Sequence, residues 1–108
     1  MNHARGGNPI IQRCMIHDGR GAGVLVDDHS QGRLEGCTIT DNVLAGVEIR
    51  HGSRPELYRC HVNHNGLVGI SVHSRGAGTV EHCDLTGNKE GAWRIGLWCS
   101  VDRRGNTE

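Results

Sequence analysis

The sequence contains no phenylalanine and few aromatic residues of any kind. Aromatic residues make up 3% of the 108 residues, and hydrophobic residues 35%. Large aromatic side chains contribute much of the buried area in a broad globular core, so this composition argues against such a core. A thin, stacked core of valine, isoleucine, leucine and cysteine is compatible with the same composition. The 17 glycines supply the turn positions that a tightly coiled chain needs.

The chain also lacks an excess of either charge and any long apolar run. Twelve basic and twelve acidic residues give a formal net charge of zero, which disfavours nucleic acid or an anionic membrane as the main partner. No segment is long enough to cross a bilayer. No apolar stretch follows Met1 to Arg5, so we expect no signal peptide. These features predict a cytoplasmic protein with no nucleic-acid and no membrane partner.

Four of the five cysteines recur at a constant interval of 23 residues. They are Cys14, Cys37, Cys60 and Cys83. Apolar residues flank each cysteine at the same offsets, and a fixed period in this range indicates a solenoid. Parallel stacked strands lie about 4.8 Å apart with their side chains in the same direction, which suits disulfide torsion poorly. We therefore expect these cysteines to be buried, reduced structural residues.

Each repeat predicts two strands separated by two turns. The first strand carries the cysteine template and ends at a polar corner, where Asn42, Asn65 and Asn88 share one register and should form an amide ladder. The second strand alternates apolar and polar residues, which indicates one buried face. Glycine and proline mark the next corner, with Pro9 at this place in the first repeat.

Two repeat architectures fit this pattern. The segment from Leu34 to Leu44 also matches the leucine-rich-repeat line. Leucine-rich repeats usually place a helix or helical turn on the far side of each coil. Here that side carries Gly-Val-x-Ile and Gly-Ile-x-Val segments, which favour a second strand. We favour an all-β parallel β-helix of about four coils and keep the leucine-rich repeat as the alternative.

Two stretches, Asn8 to Gly19 and Leu44 to Ile49, resemble right-handed parallel β-helix repeats. They are similar to the repeats of F-box-type ubiquitin-ligase receptors. They also resemble bacterial β-helix proteins grouped with carbohydrate-binding proteins and sugar hydrolases. The resemblance implies an all-β, right-handed, single-stranded parallel β-helix.

We expect a single domain over residues 1–108, with a repeat region at 8–95 and a C-terminal cap or tail at 96–108. Trp93 and Trp98 are the predicted lid over the last core layer. The short segment before the first coil offers nothing to cover that end. We therefore expect either a C-terminal piece of a longer protein or self-association through the open coil end.

The outward positions of the second strand form two polar columns. The candidate binding residues on them are Asp27, Glu48, Arg50, Ser71, His73 and Arg94. Stacked opposite charges keep an exposed sheet soluble, so a solvated face is the main interpretation. A catalytic site acting on a sugar uronate is the alternative. We expect no metal and no cofactor.

A second polar patch is predicted on the outer side of the first sheet. Its members are Tyr58, Arg59, His82, Arg33 and Glu56. Together these features predict a non-catalytic repeat scaffold that presents a rigid surface for protein–protein recognition, with another protein or the rest of a longer chain as partner. A carbohydrate-binding or polysaccharide-processing β-helix, a lyase or hydrolase if enzymatic, is the alternative. A structural spacer is the third.

Overall fold

The structure is a computed structural model that describes residues 10–108 and the backbone of Asn2–Arg5. The predicted corner residue Pro9 lies outside the described residues. Within them the chain forms thirteen short strands and no helix, so no helix there could span a membrane. The strands are β1 Asn2–Arg5, β2 Ile10–Gln12, β3 Met15–His17, β4 Val24–Asp27, β5 Arg33–Glu35, β6 Thr38–Thr40, β7 Val47–Ile49, β8 Glu56–Tyr58, β9 His61–Asn63, β10 Ile70–Val72, β11 Ala77–Glu81, β12 Trp93–Ile95 and β13 Ser100–Arg104.

The strands stack into three parallel sheets, and successive coils are about 23 residues apart. Sheet 1 has the order β2-β5-β8-β11-β13, sheet 2 has β3-β6-β9, and sheet 3 has β1-β4-β7-β10-β12. All pairings are parallel, as between Leu34 and Leu57 or Val47 and Ile70. The predicted parallel β-helix is confirmed. The prediction of two strands per coil is wrong, because each full coil contributes three.

The third sheet arises from a turn inside the predicted first strand. Arg13, between β2 and β3, has a φ of 51°, and the equivalent residues Gly36, Arg59 and His82 have φ values of 63°, 54° and 55°. A left-handed residue redirects the chain, so the cysteine that follows it lies at a corner rather than within a strand. The apolar pattern around each cysteine continues through this corner, so the sequence pattern alone does not indicate a turn there.

Left-handed residues form columns at every corner of the solenoid. Corner 1, between sheets 1 and 2, contains one column: Arg13, Gly36, Arg59, His82 and Gly105. Corner 2, between sheets 2 and 3, also contains one column: Asp18, Asp41, His64 and Gly87. Corner 3, after sheet 3, contains two adjacent columns, the first of Asp28, His51 and Ser74 and the second of His29, Gly52, Arg75 and Trp98. At three places a histidine ring lies across the glycine of the next coil. A Cβ on Gly87, for example, would lie 3.1 Å from Cε1 of His64.

The core consists of aliphatic columns from the three sheets. Leu57, Val62 and Ile70, one from each sheet, are each 0% exposed. Burial of such side chains is worth roughly 1.5–3 kcal/mol each before entropic costs. The outer coils bury less, because a solenoid coil packs only against its neighbours.

The cysteines follow the same gradient. Cys37, Cys60 and Cys83 are buried and all five cysteines are free thiols. Burial raises the pKa of the Cys37 thiol. Cys14 is exposed, which corrects the prediction that all four repeat cysteines are buried. Among the described residues, its flanking strands β2 and β3 lie at the edges of sheets 1 and 2 and have a neighbouring strand on one side only.

The asparagine ladder forms beside sheet 2. Asn42 Nδ2 donates to Asn65 Oδ1 at 3.0 Å, and Asn65 Nδ2 donates to Asn88 Oδ1 at 2.9 Å. The backbone N–H groups of Asn42 and Asn65 donate to the same oxygens. Asn65 Nδ2 also donates to the carbonyl of Ile39. The ladder thus satisfies polar backbone groups at a corner that is closed to water.

Strand pairing continues past Ile95, where the predicted repeat region ends. In β13, Ser100 pairs with Ala77 and Arg104 with Glu81. Asn106 occupies the cysteine position of this coil, and its Oδ1 accepts a 2.9 Å hydrogen bond from Cys83 N. The segment predicted as a cap or tail therefore joins sheet 1.

The end of the solenoid is covered by one of the two predicted tryptophans. Trp93 packs against the core, and the Arg103 guanidinium lies 5.3 Å from the centroid of its ring. Arg103 pairs with Val80 and so stands at a core position of sheet 1. Trp98 is 88% exposed, so the prediction that it forms part of the lid is wrong.

Removing one amide from the ladder should destabilise the fold. The Asn65→Ala variant removes the acceptor of Asn42 N and Asn42 Nδ2 and the donor to Ile39 O and Asn88 Oδ1, and each buried group left uncompensated costs about 1–3 kcal/mol. We expect a loss of about 3 kcal/mol or more in the free energy of unfolding, measured by urea titration. The control Asn63→Ala removes a half-buried amide and should cost less; equal losses would contradict the role of the ladder.

Corner 1 should respond in opposite directions to two substitutions. Arg59→Gly relieves an unfavourable φ of 54° and should raise the free energy of unfolding by about 0.5 kcal/mol. Gly36→Ala should lower it by about 1 kcal/mol because of its φ of 63°, since the nearest atom to an added Cβ, Arg13 Cγ, is 3.7 Å away. Thermal and urea unfolding measure both changes. Changes of the same sign would show that side-chain contacts dominate at this corner.

Candidate functional site

The outer side of sheet 3 carries the predicted polar columns. Strand pairing aligns Leu25 with Glu48, Glu48 with Ser71, and Ser71 with Arg94. Alternation along β7 buries Val47 and Ile49 and leaves Glu48 facing outward. The second column, Asp27, Arg50 and His73, begins at the end of β4 and continues just beyond β7 and β10. The stacking therefore brings the predicted residues onto one surface.

Asp27 is only 1% exposed, which corrects the prediction that this column is wholly solvated. Its Oδ2 accepts a 3.1 Å hydrogen bond from Arg50 Nη2. Its Oδ1 contacts His51 Nδ1 and accepts a 2.8 Å hydrogen bond from the backbone N–H of Asp28. Since a buried carboxylate requires such partners, these groups explain why an aspartate is tolerated at this position.

The same contacts hold Asp27 in its ionised form. The hydrogen bond from Arg50 is the largest influence, and with those from His51 and Asp28 N it places the pKa of Asp27 far below the ordinary range, although burial opposes the shift. Asp27 in turn raises the pKa of Arg50. The pair is therefore a fixed ion pair at neutral pH.

A chain of polar contacts runs from this ion pair across the sheet. Arg50 Nη1 lies 3.6 Å from Glu48 Oε2, and Glu48 Oε2 lies 2.8 Å from His73 Nε2. His73 Nδ1 lies 3.1 Å from Ser74 Oγ. We name this set, from Asp27 through Arg50, Glu48 and His73 to Ser74, the sheet 3 relay. Acidic, basic and hydroxyl groups are thus connected in one line of ion pairs and hydrogen bonds.

Two predicted residues stand apart from the sheet 3 relay. Arg94 Nη2 bonds Glu90 Oε1 at 3.2 Å instead. Ser71 aligns with Glu48 and Arg94, yet in the part of the chain that the structure describes it makes no side-chain hydrogen bond. Both are therefore surface positions beside the relay rather than members of it.

Two members of this surface, His51 and Ser74, were missed by the sequence analysis. Both stand at the corner 3 position that begins with Asp28 and recurs at the repeat interval. The 23-residue repeat interval therefore could have identified both residues from the position of Asp28. The polar columns were followed only along the strand, and the turn residues beyond it were left out.

One group has the composition of a metal site. Asp27, Asp28 and His51 each offer one ligand atom, and these three atoms lie within 4.8 Å of one another. However, the two oxygens of Asp27 already contact Arg50 and His51, and the arginine cation would repel a metal ion. We therefore assign no metal to this group.

The second predicted patch lies on the outer side of sheet 1. The Arg33 guanidinium is 5.1 Å from the Tyr58 ring centroid, and Tyr58 Oη donates a 2.9 Å hydrogen bond to Glu56 Oε2. This bond raises the pKa of Tyr58. The predicted Arg59 and His82 lie at corner 1 instead. Arg33 and Glu56 also line an open groove of about 740 Å³ that crosses the sheet.

The comparison with protein families decides the class of this solenoid. The family model described as "Right handed beta helix region" matches residues 2–107. The chain belongs to the right-handed β-helix family. The match covers β13, so the family repeat extends over the same coils as the strand pairing. The comparisons with curated proteins and with solved structures returned no match.

The buried carboxylate of this right-handed β-helix predicts a defined response to pH. Because folding depresses the pKa of Asp27, its stabilisation is complete above the unfolded-state pKa of about 3.9 and decreases as the pH falls through the acid range. Asp27→Asn should be less stable than the parent at pH 7, and the difference should shrink toward pH 2. Urea unfolding across this range measures it.

The exposed aspartate Asp102 offers a matched control. Asp102→Asn should leave the free energy of unfolding nearly unchanged at pH 7, because no buried partner loses its counter-charge. If Asp27→Asn and Asp102→Asn had the same effect at every pH, the ion pair would not stabilise the fold.

Proposed function

We propose that this right-handed β-helix is a repeat scaffold that presents a rigid surface for protein recognition. The observation that carries the proposal is the pair Leu97 and Trp98, which are 87% and 88% exposed. They are consecutive and follow β12 at corner 3. A tryptophan beside a leucine, both projecting into solvent, forms an exposed apolar patch, and tryptophan is enriched among the residues that anchor protein interfaces.

The surroundings of this pair support the same role. Gly96 N donates a 2.8 Å hydrogen bond to Val72 O, which ties the corner to the preceding coil. The exposed Arg75 has the position of Trp98 in the preceding coil, and the exposed Arg94 precedes Leu97 by three residues. An apolar anchor with a polar rim is the usual organisation of a protein interface, and a stacked sheet behind it reduces the entropy lost on binding.

Carbohydrate binding is the second candidate, and the groove on sheet 1 favours it. The groove is lined by polar and small side chains, including Arg33, Glu56 and Asp102. Sugar sites usually add an aromatic ring for stacking. No aromatic residue is among those that line this groove within residues 10–108, so protein recognition is the better-supported proposal.

The partner and the location remain part of the proposal. Five free thiols are compatible with a reducing, cytoplasmic location. A different protein is the proposed partner. A second copy of the chain is the other candidate, since β12 and β13 end their sheets with an unpaired edge in the described part of the chain.

A photo-crosslinking amino acid at position 97 tests the proposal. The matched control carries it at Val43, which is 58% exposed on corner 2. We expect one protein to be captured from position 97 and not from position 43. With that partner purified, Trp98→Ala should weaken binding about 30-fold, the equivalent of about 2 kcal/mol, without changing the melting temperature.

Three other outcomes would contradict the proposal. They are equal capture from both positions, binding to the purified partner that is unaffected by Trp98→Ala, and binding to a glycan array that is lost on substitution of Arg33. Capture of the chain by itself would identify the second copy as the partner.

A further inference from the structure

We propose that Ser74 is an activated nucleophile that accepts an acyl group from a carboxylic ester. Its Oγ lies 3.1 Å from His73 Nδ1, and His73 Nε2 lies 2.8 Å from Glu48 Oε2. A hydroxyl, an imidazole and a carboxylate in this order are the arrangement that activates serine nucleophiles. This reactivity goes beyond the scaffold role and is independent of it.

The carboxylate determines which nitrogen of His73 is the base. An ionised carboxylate has no hydrogen to donate, so the 2.8 Å contact requires the proton on Nε2. The neutral ring then carries its lone pair on Nδ1, which faces the hydroxyl of Ser74 at 3.1 Å. Ser74 Oγ–H therefore donates to Nδ1, the geometry that proton transfer needs.

The rest of the sheet 3 relay positions Glu48. The Glu48 side chain is 24% exposed, with Arg50 Nη1 at 3.6 Å from its Oε2. Arg50 is in turn fixed by buried Asp27 at 3.1 Å. Because the guanidinium is anchored from behind, the carboxylate has a defined orientation toward His73. Support of this kind keeps a reactive group in its productive geometry.

The backbone at Ser74 favours an accessible nucleophile. Ser74 has a φ of 52° and is exposed at the tip of corner 3. A serine on such a turn projects its Oγ outward, and the N–H of the next residue can stabilise the oxyanion that forms. Among residues 10–108, the Arg75 N–H donates to no acceptor within hydrogen-bond distance. It is therefore available for this role.

The reaction is a single acyl transfer. Ser74 Oγ attacks the carbonyl carbon while its proton passes to His73 Nδ1. The tetrahedral adduct collapses, the bond to the leaving alcohol breaks, and the imidazolium returns the proton to the leaving oxygen. The products are an ester on Ser74 and a free alcohol.

Acetylation by 4-nitrophenyl acetate tests the proposal on the full chain. Because the exposed thiol of Cys14 would compete, the measurement is made in a Cys14→Ala background, with release of 4-nitrophenol followed by absorbance and the acetylated residue located by peptide mass spectrometry. We expect acetyl-Ser74 as the main product. His73→Ala should slow its formation about 100-fold, and Glu48→Gln about tenfold.

Two controls separate activation from simple exposure. Ser100 is also exposed and contacts no histidine in the part of the chain described, so Ser100→Ala should leave the rate unchanged. The ¹⁵N shifts of His73 should show the Nε2–H tautomer in the parent chain. Equal acetylation of Ser74 and Ser100, an Nδ1–H tautomer, or a rate unaffected by His73→Ala would overturn the proposal.

Discussion

The constant register between coils is the constraint on which the rest of this structure depends. The same backbone hydrogen bond recurs in successive coils, from Val24 N to Gly46 O and from Ile70 N to Ala92 O, both at 2.9 Å. Once equivalent residues lie directly over one another, each position becomes a column with a single environment. Aliphatic columns then form the core, amide columns form the ladder, and left-handed columns form the corners. A local preference is thereby repeated along the whole axis.

The parts of the fold that repeat were predictable, and the parts that break the repeat were not. The cysteine interval and the three asparagines predict a parallel solenoid. The third sheet was missed because the left-handed turns at Arg59 and His82 have no glycine to mark them. The last coil was missed because Asn106 replaces cysteine there. The backbone conformation of a single residue depends on how it stacks against the neighbouring coils. The order of residues along the sequence does not reveal that stacking.

The same limit applies to the candidate site. The columns containing Glu48, Arg50 and His73 follow from strand alternation, and the structure places them together. The burial of Asp27 does not follow, since it depends on how Arg50 and His51 fold over the carboxylate. The orientation of these polar side chains and the stability of the fold are therefore coupled on sheet 3. The ion pair that stabilises one coil also orients the polar groups that the next coil exposes.

The histidine rings that lie across glycines have a consequence for the assembly order of the solenoid. Identical spacing would in principle let any coil follow any other. His29, however, occupies the space left by Gly52, and His82 the space left by Gly105. Deleting residues 30–52 would place His29 against Arg75 instead. Steric complementarity at the corners thus makes the coils non-interchangeable, although their backbones are equivalent.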